Sequence, residues 1–240
     1  MTLRKPLLAL FSSALCLLAF GAFGVSSAAA STTEECKIPE VGETFTSQHF
    51  LDSNCTESNT EGEYHTVAVK PNALLNRTNT STITIHAEIS STPTAITCEA
   101  LSGSKVVSNY EEIGGTGFKG EGKIKMSGCV ASEPAGCIVK PIETVQLSES
   151  SEDLLGAIMR TLFAPKEGSK LATITLEGCA IAGSYPLEGK LRSQTVDIHT
   201  EEFSNTSGSE LTVAKKPATL KASFHDATAA NGKTVVRETP

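Results

Sequence analysis

Tryptophan is absent from the 240 residues, and aromatic side chains make up only 5% of them. Recognition of sugar rings by stacked aromatic platforms therefore has little to build on, since the few Phe residues are also needed for a core. The spacings that mark frequent chemistries are missing too. No H-E-x-x-H places two zinc-binding imidazoles on one helical face, and no G-x-S-x-G elbow lifts a serine toward a substrate. Neither a C-x-x-C pair nor a paired Cys and His spacing offers a structural zinc site. Positive charge is in the minority, with 20 Lys and Arg against 27 Asp and Glu. Nucleic acid and anionic lipid surfaces would repel such a chain, so neither is expected as a partner, and no cofactor is expected.

Only one long apolar run is present, and it lies at the start. Arg4 and Lys5 precede an apolar stretch over residues 7–25, and Ala28, Ala29 and Ala30 supply the small residues that a signal peptidase needs. Residues 1–30 read as a secretory signal peptide cut before Ser31. The alternative is a retained anchor, because the run is nearly long enough to span a bilayer. A lipoprotein does not fit, as Cys16 sits in mid-run behind the bulky Leu15. Cleavage removes Arg4, Lys5 and Cys16, leaving 18 basic and 27 acidic residues and a formal charge of −9. No second run of spanning length follows, so the product is expected without a membrane span, secreted or held in the cell envelope.

Six cysteines remain after cleavage: Cys36, Cys55, Cys98, Cys129, Cys137 and Cys179. An even number in an oxidising compartment points to three bridges, whose connectivity spacing alone does not settle. Joining the two couples that are nearest neighbours in sequence gives Cys36–Cys55 and Cys129–Cys137, and leaves Cys98–Cys179 as the third.

Residues 31–63 are rich in Ser, Thr, Asn and Glu with little periodicity, and suggest an irregular arm held by Cys36–Cys55. From about Tyr64 the pattern turns to period two. Ile83, Ile85, Ala87 and Ile89 fall on one face of a strand while Thr84, His86 and Glu88 fall on the other. The same alternation recurs to about residue 224, interrupted by turn signals such as Ser102-Gly103, Gly114-Gly115 and Ser207-Gly208. Residues 64–228 are thus expected to form one all-β domain, an antiparallel sandwich of Ig-like or jelly-roll-like type, or else a partly closed barrel. Residues 229–240 read as a polar tail. One segment fits two readings. Residues 151–163 place Leu154, Ile158 and Leu162 at helical spacing but also alternate as a hairpin, which Gly156 and the neighbouring strands favour.

Three patterns could carry chemistry. The stretch Gly117 to Ile124 is one residue from a phosphate-binding loop, but Ile124 stands where the magnesium-binding hydroxyl belongs and strand periodicity follows, so its glycines read as close backbone approaches in a sheet. Ser102 and Lys105 match S-x-x-K, without the companion elements of serine enzymes that use it. Asp197, His199 and Glu201 form the metal candidate, because alternate strand positions would project all three onto one face. The bland reading of that triplet is a solvated polar face. Asn54, Asn76, Asn79 and Asn205 sit in N-x-Ser/Thr sequons, which read as polar surface loops in a bacterium.

The stretches ITCEALSG at 96–103, KMSGCVASEPAGC at 125–137, LATITLEGCAIAGSYPLEGKL at 171–191, TEEF at 200–203 and PATLKASF at 217–224 carry a resemblance. Through them the half from Ile96 to Phe224 resembles a family of exported, cysteine-containing, β-rich bacterial proteins of unknown function. It implies a secreted β-rich domain with Cys98, Cys129, Cys137 and Cys179 as framework cysteines, and it brings no activity, ligand or catalytic residue. The function expected is a non-catalytic one, binding or structural, with an envelope or extracellular partner. A secreted hydrolase with an atypical site is the first alternative, and metal binding through Asp197, His199 and Glu201 the second.

Overall fold

The computed structural model describes residues 33–43, 47–112, 115–153, 159–203 and 210–237, so the signal segment at 1–30 lies outside the described residues. The chain opens with β1 (Thr33–Lys37), β2 (His65–Ala68), β3 (Ala73–Asn79) and β4 (Ile83–Ile89). A long ribbon follows, made of β5 (Thr92–Glu112) and β6 (Gly115–Glu133). Then come β7 (Ile138–Val139), β8 (Ile142–Glu143), β9 (Leu147–Asp153), β10 (Met159–Pro165), β11 (Lys170–Glu177) and β12 (Gly183–Gly189). The last elements are β13 (Leu191–Thr195), β14 (Glu201–Phe203), β15 (Leu211–Val213), β16 (Lys216–Pro217), β17 (Thr219–Thr228) and β18 (Val235–Arg237). Among the described residues there is no helix, and hence none long and apolar enough to cross a membrane.

Every ladder is antiparallel, and eight strands close on themselves. The order runs β6, β9, β10, β13, β14, β17, β3, β5 and back to β6. Closure removes the free edges that a strand otherwise presents to aggregation. Of the architectures expected from the alternation the barrel is therefore the one that forms, and it is complete. The ring closes because two strands change partner along their length. β5 pairs with β4 through Thr92 to Cys98 and with β3 through Ser102 to Val107. Likewise β17 pairs with β4 near Leu220 and with β3 from Phe224 onward. Beyond the barrel, the ends of β5 and β6 continue into a second lobe with β4, β7, β8, β11, β12, β15 and β16. That lobe is filled by Ile83, Ile85, Ile96, Met126, Ile174 and Leu187, in one apolar cluster that runs on into the mouth of the barrel.

Two tight turns use residues that propensity disfavours. Ser90 and Ser91 join β4 to β5 with φ of 51° and 63°, and Ala214 and Lys215 join β15 to β16 with φ of 48° and 66°. Positive φ at both central positions matches the right-handed twist of the flanking strands, which is why a two-residue hairpin adopts it even without Asn or Gly.

The stretch expected as an irregular arm is mostly turns and bends over the described residues within 38–63, and each flanking region adds one strand, β1 and β18. β1 pairs with β18 on one side and β2 on the other, making a separate three-stranded sheet of the first two and the last of the described strands. Residues 151–163 contribute the flanks of a hairpin, since Asp153 pairs with Met159, while residues 154–158 lie outside the described residues.

Cys36–Cys55 is bridged as expected, but the other two pairings are not those of the nearest-neighbour rule. Cys98 joins Cys129, and Cys137 joins Cys179. Register explains both. Cys98 and Cys129 are direct partners in the β5–β6 ladder. Cys137 precedes β7 and Cys179 follows β11, and those two strands pair through Ile138 and Glu177. Three disulfides are the mark of an oxidising, extracytoplasmic environment.

A buried charged layer as the candidate functional site

An eight-stranded barrel has an interior just wide enough to be filled by side chains, and successive residues of each strand alternate between it and the outside. At one end the inward residues are apolar: Leu147, Phe163, Leu191, Phe203 and Phe224. At the other end Leu75, Val107 and Phe118 pack with Val69 and Val235. Between them lies a polar layer to which nearly every strand contributes. β3 supplies Arg77, β5 Lys105, β9 Glu149, β10 Thr161, β13 Ser193, β14 Glu201 and β17 Asp226, and none of the seven is more than 4% exposed.

The glycine-rich part of β6 makes room for this layer. A Cβ on Gly120 would lie 3.7 Å from Lys105 Cδ and 3.6 Å from Glu149 Cβ, and one on Gly122 would meet the Ser104 carbonyl at 2.3 Å. The near-match to a phosphate loop is thus a strand whose missing side chains admit Lys105. Ser102 is exposed and Lys105 buried, as positions three apart on a strand must face opposite ways, so the S-x-x-K pair cannot act together.

Arg77 is the hub. It grips Asp226 through Nε to Oδ1 at 2.9 Å and Nη2 to Oδ2 at 3.1 Å, and Glu149 through Nη1 and Nη2 at 3.1 Å each. Lys105 Nζ lies 2.9 Å from Glu149 Oε2 and 2.7 Å from Asp226 Oδ2. The guanidinium also stacks 4.3 Å from the Phe224 ring centre and 4.9 Å from that of Phe163, while Lys105 Nζ stands 5.3 Å from Phe118. Glu201 accepts hydrogen bonds from the Thr161 hydroxyl at 2.9 Å and from the Ser193 hydroxyl. Burial opposes the charge on Arg77, but the carboxylates of Asp226 and Glu149, helped by Glu201, outweigh it and hold the guanidinium pKa above its ordinary value. Removing a partner from such a layer strands the others without solvent, a far larger effect than losing a surface pair.

The metal triplet does not assemble. Residues 196–199 bend instead of continuing the strand, so the alternation that would align the side chains is lost. The Asp197 carboxylate accepts the backbone N–H groups of His199 and Thr200 at 2.8 Å each. His199 turns its Nδ1 to the Val235 carbonyl at 3.3 Å, and Glu201 points into the barrel. Among the described residues no three His, Cys, Asp or Glu side chains converge as a metal site. Of the sequon residues, Asn79 has its side chain engaged, donating to the Ser81 and Glu99 carbonyls and accepting from the Leu101 N–H. Asn205 lies outside the described residues.

On the outside, the barrel wall carries a shallow groove of about 550 Å³ whose lining includes Asn72, Val106, Ser108, Lys119, Glu121 and Ser148. Leu74 and Val106, cross-strand partners beside it, are 48% and 43% exposed. A hydroxyl and a histidine meet at Thr78 and His225, 3.2 Å apart as cross-strand neighbours of β3 and β17.

No motif reading finds Arg77, Lys105, Glu149 and Asp226, because no fixed spacing joins them. Their one signal is phase. Each falls on the apolar side of its own alternation, Asp226 in step with Ala222 and Phe224, Glu149 with Leu147, Arg77 with Leu75, and Lys105 with Leu101 and Val107. No protein-family model, curated protein or solved structure matches the chain.

Proposed function

We propose that this is an exported, non-catalytic barrel protein that works in the cell envelope or outside the cell, as a binding or structural component. One observation carries the reading: the barrel's charged layer is occupied by its own paired side chains, which leaves recognition to the outer wall. The groove combines hydroxyl and amide groups with the half-exposed Val106, whose cross-strand partner Leu74 is exposed beside it, a surface suited to a macromolecular partner. The test is a screen of the secreted protein against immobilised envelope glycans and peptides, with Val106→Glu as the control. A retained ligand that the variant releases, at unchanged melting temperature, supports the reading. Turnover of a glycan or peptide that Thr78→Ala abolishes would replace it with the hydrolase reading, for which the Thr78–His225 pair is the one specific argument.

A further inference from the structure

The contacts around Lys105 resemble a reaction about to happen more than a resting ion pair. Its Nζ lies 2.7 Å from Asp226 Oδ2 and 2.9 Å from Glu149 Oε2, and all three side chains are 2% exposed. We propose that the barrel crosslinks itself, Lys105 and Asp226 condensing to an isopeptide bond between Nζ and Cγ, with Glu149 as the catalytic proton carrier.

The step balances without any co-reactant. Glu149 takes a proton from the Lys105 ammonium, and the freed amine pair attacks Asp226 Cγ. The resulting tetrahedral centre carries its negative charge on the Asp226 oxygens, where Arg77 already donates from Nε and Nη2 at 2.9 and 3.1 Å. A guanidinium fixed at that place acts as an oxyanion hole. A second proton leaves the nitrogen through Glu149, and both depart on Oδ2 as water while the amide forms. Ammonium and carboxylate are consumed together, so the charge of the layer is unchanged, and Arg77 keeps Glu149 as its counter-ion.

Two physical effects drive a condensation that fails in bulk water. Groups held at contact react as if at enormous concentration, because the entropy of bringing them together has been lost in folding. Moreover, a buried ion pair carries the desolvation penalty of both ions, whereas an amide is neutral. Phe118, Phe163 and Phe224 wall the cations with apolar surface, which raises that penalty and keeps water from reversing the step. The bond would join β5 to β17 across the intervening β3, stapling the ring where both strands pair with β3.

Peptide mapping of the secreted chain, reduced, alkylated and digested with trypsin under denaturing conditions, decides the matter. Trypsin cannot cut after an acylated lysine. The expected product is residues 78–119 joined to residues 222–233, one water lighter than their sum, with fragmentation placing the link at Lys105 and Asp226. Separate peptides 78–105, 106–119 and 222–233 would overturn the proposal. So would a water lost within 222–233 alone, or a link from Lys105 to the peptide bearing Glu149. In Glu149→Gln, secreted with its three disulfides intact, Lys105 should become cleavable. An undiminished crosslink in that variant would remove Glu149 from the chemistry.

Discussion

At the scale of single residues, the barrel interior hinges on one guanidinium. Arg77→Met keeps most of the side-chain volume but leaves the buried Glu149 carboxylate without the guanidinium that pairs with it. The expected loss of stability is about 3–5 kcal/mol, read as a lower denaturant midpoint. A milder effect belongs to Asp52, beside the Cys36–Cys55 bridge. Burial works against its charge, but the N–H groups of Glu57, Asn54 and Thr56 and the Thr56 hydroxyl all donate to the carboxylate, so its pKa is lowered. A carboxyl whose folded pKa lies below the unfolded value stabilises the fold above about pH 4 and loses that contribution as pH falls through the folded value. The protection of amides at residues 53–57 against exchange should accordingly fall on acidification, relative to neighbouring segments, and Asp52→Asn should abolish that extra pH dependence. The partners of Asp52 lie two to five residues on, within one local turn. Arg77 is different: a charged residue in the apolar phase of a strand can be noticed in a sequence, but its partners come from strands far apart in the chain.

At the scale of elements, β6 shows how a glycine pattern is shaped by its neighbours. Gly122 backs onto the β5 chain so closely that a Cβ would meet the Ser104 carbonyl oxygen, a backbone atom that cannot swing aside. Gly122→Ala should destabilise by on the order of 1–3 kcal/mol, seen as a lower melting temperature. The strands themselves were readable from period two, as Ile83, Ile85 and Ile89 are all fully buried. The Ser90-Ser91 turn was not, because its positive φ values follow from the strand twist and not from the residues' own preference. Nor did the run at Asp197, His199 and Glu201 obey its alternation. A bend capped by the Asp197 carboxylate interrupts the strand before Glu201 enters the barrel.

For the whole molecule, one disulfide fastens the long ribbon to itself and another fastens the second lobe. Cys98–Cys129 ties β5 to β6, and Cys137–Cys179 ties the entry of β7 to the exit of β11. Replacing Cys137 and Cys179 together by serine should cost about 2–5 kcal/mol, chiefly by freeing the unfolded chain, and should lower the thermal midpoint. Non-reducing peptide maps of the wild type should recover the Cys98–Cys129 and Cys137–Cys179 linkages. A Cys129–Cys137 peptide would contradict the register of β6 and β7, which sets Val130 opposite Ile138.

Local pattern was enough to establish an all-β chain with six cysteines beyond residue 30, since alternation, turn residues and residue counts are properties of neighbours in sequence. It also made residues 1–30 an expected export signal. Barrel closure, the partner changes of β5 and β17, the pairing of the termini and the disulfide connectivity were decided only in three dimensions. Each depends on which distant strands lie side by side, and the energy of those contacts is absent until the chain has folded. The charged layer is the clearest case, because Arg77, Lys105, Glu149 and Asp226 acquire their chemistry only when the closed ring takes them out of water.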